Sequence, residues 1–265
     1  MFSSITSLLS NGSQAVLDKP EIKWNKAEGP LRHFRILEIK GSRISGSGQF
    51  TGENITNIAQ KISTFNQNSI NNFFIIDVRM EFHAFINDLP MEWKLNKESN
   101  LGLNAIEILC QEKEKLIQLT HSSNSNIKSA YTEEELVISK GHEYIRLPTL
   151  DHYLPDDKIL QEYLDLLKSH PDAWFHVHCH VGKGRTTVFM AIYHMFLHAK
   201  EFTFEEIVQL HKNIGGEDFL KHIHKTFADS KKQALAEKRL TFLQKFYQYC
   251  STADLEKVSW NEWIK

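Results

Sequence analysis

Ten consecutive residues, His178-Cys179-His180-Val181-Gly182-Lys183-Gly184-Arg185-Thr186-Thr187, bring together a thiol, two glycines, an arginine and two hydroxyls. They lie between an apolar strand-like run, Ala173 to His178, and a helix-like run that is apolar nearly all round, Thr186 to Ala199. Such a turn aims successive backbone N–H groups into one concavity at a helix N-terminus, where an anion is favoured. Gly182 and Gly184 permit tight curvature and keep side chains out of the anion's path. Arg185 can give two parallel hydrogen bonds to phosphate oxygens. Cys179 opens the cradle, and N–H dipoles with a guanidinium beside it favour the thiolate. A thiolate next to a bound tetrahedral anion is arranged for nucleophilic attack on phosphorus. Thr186 can offer its hydroxyl to the sulfur. His180, Val181, Gly182, Lys183 and Gly184 would line the anion site. His178 is expected to brace the turn from behind, without moving a proton.

A cysteine followed six positions later by an arginine is weak alone, since packing and chance make many such pairs. A glycine-rich strand–helix turn can also hold a nucleotide. The nucleotide loop of Gly, four residues, Gly-Lys-Ser/Thr is absent, because Lys183 lies between the glycines. The joint pattern in its strand–helix context is the specific signal.

A phosphate ester also needs an acid for its leaving oxygen. Asp151-His152 stands 28 residues before Cys179, between a strand-like run at 142–147 and a helix-like run at 156–169. In a βαβ order that loop reaches the same sheet edge as the cradle. Asp151 is therefore the candidate general acid, and afterwards the base that activates water. The plainer alternative is a turn cap before Pro155. Asp156 and Asp157 look better placed to cap a helix. Cys110, on an apolar helix face, and Cys250, after Phe246-Tyr247-Gln248-Tyr249, are expected to be packed thiols.

The elements that must position these groups are legible as patterns. Residues 54–65, 104–119, 156–169, 186–199, 203–213 and most of 218–250 predict helices. Runs at 73–77, 133–139, 142–147 and 173–178 predict strands, the first buried on both faces. Gly41-Ser-Arg-Ile-Ser-Gly-Ser-Gly48 predicts a loop that takes unusual angles or comes close to something. Strands alternating with helices argue for an α/β fold. Residues 1–30 predict an arm and 31–265 one catalytic domain.

The 265 residues are 41% hydrophobic and 24% charged, ordinary globular usage that disfavours disorder and coiled coil. A net charge of −2 argues against a nucleic-acid or acidic-membrane coat, so an anionic ligand must meet a local basic patch. Three cysteines argue against a disulfide framework. The first ten residues lack a basic n-region and predict no signal peptide. No run reaches the ~18 apolar residues of a membrane span. A cytoplasmic protein is expected, or one exported by a signal-independent route, into a host cell for instance.

Cys179 to Arg185 with Thr186 resembles the signature loop of cysteine-dependent protein tyrosine phosphatases. Arg32-His-Phe-Arg35, Ile44-Ser-Gly-Ser-Gly-Gln-Phe50, Ile76-Asp-Val-Arg79 with His83 and Asn87-Asp-Leu-Pro90, Asp151-His152, Ile214-Gly-Gly216, Phe246-Tyr247 and Trp260-Asn-Glu-Trp263 extend the resemblance, over 31–265, to bacterial protein-tyrosine-phosphatase-like phytases. That resemblance implies a central mixed sheet flanked by helices, with a small β-rich elaboration. It implies stepwise release of phosphate from myo-inositol hexakisphosphate through a phosphocysteine, with no metal or other cofactor. Cys179 would be nucleophile, Arg185 the phosphoryl clamp and Asp151 the acid. Arg35 and His152 would touch substrate phosphate, and Lys221 and Lys225 are the nearest matches to lysines the family places after the glycine pair. Asp77 and Arg79 would form a structural pair. The partner would be a polyanionic small molecule. Basic His180 and Lys183 resemble instead the loop residues of phosphoinositide phosphatases. The competing readings are thus a phosphoinositide or phosphotyrosine (dual-specificity) phosphatase and, from another class, a non-catalytic phosphate-binding module.

Overall fold

The computed structural model describes residues 22–26, 31–67, 72–93, 100–121, 126–221 and 230–265. Nine strands and eight helices are found among them. The strands are β1 (Ile22–Lys26), β2 (Arg35–Ile39), β3 (Ile44–Ser47), β4 (Phe73–Arg79), β5 (His83–Ile86), β6 (Leu89–Glu92), β7 (Ala130–Tyr131), β8 (Glu143–Thr149) and β9 (Trp174–His178). The helices are α1 (Gly52–Asn66), α2 (Ala105–His121), α3 (Glu133–Ser139), α4 (Asp157–Ser169), α5 (Gly184–His198), α6 (Phe204–Asn213), α7 (Ser230–Thr252) and α8 (Trp260–Trp263).

The main sheet runs in the order β1-β2-β3-β9-β4-β8. The strands β3, β9, β4 and β8 are parallel, while β1 and β2 add on antiparallel. The expected central mixed sheet flanked by helices is what forms. The small β-rich elaboration is a second sheet, β6-β5-β7. Residues 22–26, inside the segment expected to be an arm, pair along the whole of β2 as an edge strand.

Side chains alternate across a strand, so each central strand supplies two cores. Phe74, Ile76 and Val78 of β4 pack with Phe175 and Val177 of β9 against α4, α5, α6 and α7. Phe73, Ile75 and Trp174 face the other way, onto α1 and α3. That alternation sends Cys179 to the α5 side and puts His176 and His178 on the α1 side. Helix α5 is buried nearly all round, from Arg185 to Met195, as its composition predicts.

Three expectations are corrected. Residues 133–139 are helical. Thr132 Oγ1 accepts a hydrogen bond from the Glu135 N–H, and the Glu135 carboxylate accepts one from the Thr132 N–H, so a Thr-x-x-Glu capping box overrides the β-branched tail of the run. Residues 44–47 are a strand, not part of a loop. The close approach expected there is real, because a Cβ on Gly46 would stand 2.6 Å from Met190 Sδ and 2.7 Å from Thr186 Cγ2. Cys110 is exposed, since α2 buries Ile108, Glu112 and Leu116 and turns its 106–110–117 stripe outward. Cys250 is buried, as expected.

The contact at Gly46 sets the distance between β3 and α5, and so the seat of Thr186. Gly46→Ala is expected to cost about 1–3 kcal/mol by overpacking, read as a lower denaturation midpoint with unchanged slope.

Candidate active site

Parallel strands in one sheet bring their C-terminal ends to one edge. Gly48 follows β3, Glu81 follows β4, Asp151 follows β8 and Cys179 follows β9. The expected nucleophile, phosphoryl clamp and acid, Cys179, Arg185 and Asp151, meet at that edge.

The loop from Cys179 to Lys183 is shaped by its carbonyls. His180 O accepts from the Gln49 N–H at 3.1 Å. Val181 O lies 2.9 Å from His33 Nδ1. Gly182 O accepts from Arg35 Nη1 at 2.6 Å. Lys183 O accepts from the N–H and hydroxyl of Thr187. In a trans peptide the next N–H points opposite to its carbonyl, and no cis peptide occurs among the described residues. Four carbonyls bound on the outside therefore turn four amides into the concavity. One is seen doing so from the floor: the Gly182 N–H donates to Cys179 Sγ at 3.2 Å. Thr186 Oγ1 donates to the same sulfur, also at 3.2 Å. Cys179 is 3% exposed, at the bottom of this cup. Above it the first turn of α5 adds N–H groups that lack helical acceptors. Gly182 has φ +84, and a Cβ on it would stand 2.2 Å from Gly48 N. No side chain fits there.

Arg185 is buried and doubly clamped. Its Nη1 and Nη2 donate to Glu81 Oε2 and Oε1 at 2.6 and 2.7 Å, and Nη1 also to Thr149 O at 2.9 Å. Asp151 Oδ1 lies 3.2 Å from Nη2. Burial alone would raise the Glu81 carboxyl, but the hydrogen bonds and charge of Arg185 outweigh it and bring Glu81 down to about 2. For Arg185 the same pairing outweighs burial and holds the guanidinium above its ordinary range. Asp151 sits in a turn closed by Tyr153 N–H to Leu150 O at 2.9 Å. His152, beside it, is exposed, with Nε2 3.3 Å from Asp151 Oδ2.

Behind the loop lies a buried charge network. His178 Nε2 stands 2.5 Å from Glu133 Oε1. His83 Nε2 is 3.0 Å from Glu133 Oε2 and 3.2 Å from Asp77 Oδ2. Arg146 joins Asp77 at 2.9 Å and Glu112 at 3.2 Å. Burial and the Arg79 charge work against a charged His83, yet Asp77 and Glu112 outweigh them and lift it to about 9. Among the described residues, Asp77, His83 and Glu133 are the one group with metal-ligand types close together, within 4.8 Å. A protonated imidazole has no lone pair to give, and both carboxylates already face cations. The group braces the loop rather than fitting a metal.

A concave ring of amides, a fixed guanidinium, a thiol at the floor and a carboxyl at the rim can bind a tetrahedral dianion, attack its centre and protonate what leaves. A family model described as inositol hexakisphosphate, that of the protein-tyrosine-phosphatase-like phytases, matches residues 54–197, more than half of the chain. The chain belongs to that family. It is by class a cysteine-dependent phosphoric monoester hydrolase. It is similar to the solved structure of a phytase of this kind from Bdellovibrio bacteriovorus, at 27% identity and a TM-score of 0.76 over 93% of this chain and 95% of that one. It also resembles a myo-inositol phosphatase from Mitsuokella multacida solved with myo-inositol-(1,3,4,5)-tetrakisphosphate, at 29% identity and a TM-score of 0.75 over 83% of this chain and 40% of the other. An effector protein, hopD2, from Pseudomonas syringae pv. tomato is 24% identical over 221 residues, 71% of this chain. The chain spans 45% of that relative's length.

Several expected site residues find other surroundings. Arg35 is fully buried; its guanidinium lies behind the loop, on Gly182 O, His33 O at 2.9 Å and Thr187 Oγ1 at 3.0 Å. It shapes the cradle and does not face a substrate, and burial pulls it down to about 10. Asp77 and Arg79 meet through the Arg79 N–H, which donates to Asp77 Oδ1 at 3.0 Å, but their side chains part: Asp77 takes Arg146 and His83, while the Arg79 guanidinium reaches Gln49 and, at 2.5 Å, Glu92. His180 is half-exposed, with Nδ1 3.0 Å from Glu92, which ties the loop to the small sheet. Lys183 and Val181 are exposed at the rim. Lys221 is exposed, past Glu217, whose N–H donates to Thr187 Oγ1 at 3.0 Å. Lys225 lies outside the described residues. Sequence reasoning missed Glu81, although its place just past a buried parallel strand was a usable signal.

Arg35→Ala removes the donors for Gly182 O and Thr187 Oγ1. It is expected to cost about 2–3 kcal/mol and to lower activity on large and small phosphate esters alike, measured as an unchanged ratio of kcat/KM between them. Glu81 contributes stability that is full above about pH 4.5, its unfolded value, and is lost as pH falls through about 2. Wild type should therefore exceed Glu81→Gln in Tm at neutral pH, and the two should converge by about pH 2.

Proposed function

We propose that the protein hydrolyses phosphate monoesters of myo-inositol hexakisphosphate and lower inositol polyphosphates through a phosphocysteine. The observation that supports this most is the cup itself: four carbonyls tied outward around a sulfur that already receives one N–H and one hydroxyl. That geometry suits a thiolate and a phosphoryl group lying above it. Basic side chains at the rim, His152, His180 and Lys183, suit a substrate carrying several phosphates. The relative solved with an inositol tetrakisphosphate supports the same substrate class.

In the first step the Cys179 thiolate attacks phosphorus. An S–P bond forms as the P–O bond to the inositol breaks. The departing oxygen takes the proton of the Asp151 carboxyl. Arg185 and the loop amides hold the three equatorial oxygens. In the second step the Asp151 carboxylate takes a proton from water as that oxygen attacks phosphorus. The S–P bond breaks, inorganic phosphate leaves and the thiolate returns. Thr186 stabilises the sulfur as it departs.

The likeness to an effector protein supports a second part of the reading, that the enzyme acts after delivery into a host cell. Among the described residues no helix is long and apolar enough to cross a membrane.

Phosphate release should be measured with inositol hexakisphosphate, soluble phosphoinositides and phosphotyrosine peptides, with a metal chelator throughout. Wild type is expected to favour hexakisphosphate. Cys179→Ser should release none while still binding it, and Asp151→Asn should lose ~10²–10⁴ in kcat. Equal release by wild type and Cys179→Ser would end the enzymatic reading. Preference for a phosphotyrosine peptide would move the substrate to the rival class.

A further inference from the structure

The acid turn carries a backbone conformation that its own residues do not favour. His152 has φ +71, the left-handed region. For a residue with a Cβ that costs on the order of 1 kcal/mol or more and persists only when the surroundings impose it. One side chain from far along the sequence does so. Arg239, on α7, donates from Nη2 to His152 O at 2.8 Å, across 87 positions of chain. The same guanidinium lies against the start of α5: a Cβ on Gly184 would stand 3.8 and 3.9 Å from its two terminal nitrogens. Arg239 thus bonds the acid turn while lying close to the start of α5.

The two arginines divide the turn between them. Arg185 reaches the Asp151 carboxyl, while Arg239 holds the carbonyl of the next residue. Arg239 is largely buried, and burial draws it below the ordinary arginine range, with Glu217 and Asp151 acting against that pull and Arg185 adding to it.

We infer that Arg239 is a positioning residue that pins the Asp151–His152 turn against the signature loop, so that the Asp151 carboxyl stands at the departing oxygen. The inference rests on Asp151 being the general acid. Without the pin, the His152 carbonyl loses its donor and the left-handed turn can relax. A displacement near 1 Å would take the carboxyl out of line, a change that can cost about 10²-fold in rate.

The test compares two small esters that differ in how much the leaving oxygen needs a proton. Phenyl phosphate needs one, and dinitrophenyl phosphate does not. Arg239→Met is expected to lose about ten- to a hundredfold in kcat/KM, which reports the first step alone, on phenyl phosphate and to stay within about threefold of wild type in kcat/KM on dinitrophenyl phosphate. Arg239→Lys, measured alongside in case the first variant folds poorly, should show the same selectivity with a smaller loss. Equal losses on both esters would make Arg239 a mere support of the fold and overturn the inference. No loss on either, with a raised KM for inositol hexakisphosphate, would make it a substrate contact and overturn it as well. Asp151→Asn on the same pair separates the two levels. If it is selective for phenyl phosphate while the Arg239 variants are not, only the inference falls. If it is not selective, the acid assignment fails and takes the inference with it.

Discussion

The direction of four peptide carbonyls governs this site. A backbone of bare amides has no reason to point its N–H groups at one spot, because each carbonyl would be exposed or unsatisfied in return. Here the carbonyls from His180 to Lys183 are each given an acceptor's role outside the cup: by Gln49, by His33, by Arg35 and by Thr187. The inward amides are the consequence. The residues that make the cradle are therefore largely not in the cradle. Arg35 illustrates this best, since a side chain expected at the substrate instead binds two carbonyls, of His33 and Gly182, and one threonine.

The second layer is electrostatic. Buried carboxylates near an anion-binding concavity would oppose the ligand unless they are paired. The network beneath pairs Asp77, Glu112 and Glu133 with Arg146, His83 and His178. Each carboxylate meets a cation within the same buried layer. The paired set thus fixes the strand ends mechanically behind the loop. Glu81 extends the same logic to the rim by fixing the plane of the Arg185 guanidinium.

Most of the helices and the parallel core strands were legible because their periodicity is strong. Residues 73–79 and 174–178 are runs that only a two-sided burial explains, and α4 and α6 carry both stripe and cap. What misled was local. The run at 133–139 mixes β-branched and acidic residues, and the cap at Thr132 decides it. Gly-rich 44–47 has loop composition, yet its glycine serves contact with α5 rather than flexibility. The Cys179, Arg185 and Asp151 constellation was readable because motif, spacing and sheet-edge logic agree. Arg35 was misplaced because a motif gives identity but not the direction of a long side chain. Arg239 carries no motif; only the packing of α7 against the turn brings it in.

The cup also separates fixed positions from open ones. Gly182 is sealed against Gly48, and Thr186 and Cys179 are locked together beneath it. The side chains of Val181 and Lys183 project from the same few residues into solvent, while His180 leans on Glu92. Substitutions at Val181 and Lys183 would reshape the rim's charge and bulk while the sulfur, its hydroxyl partner and the sealed glycine keep their seats, so the rim and the floor of one short loop are mechanically uncoupled.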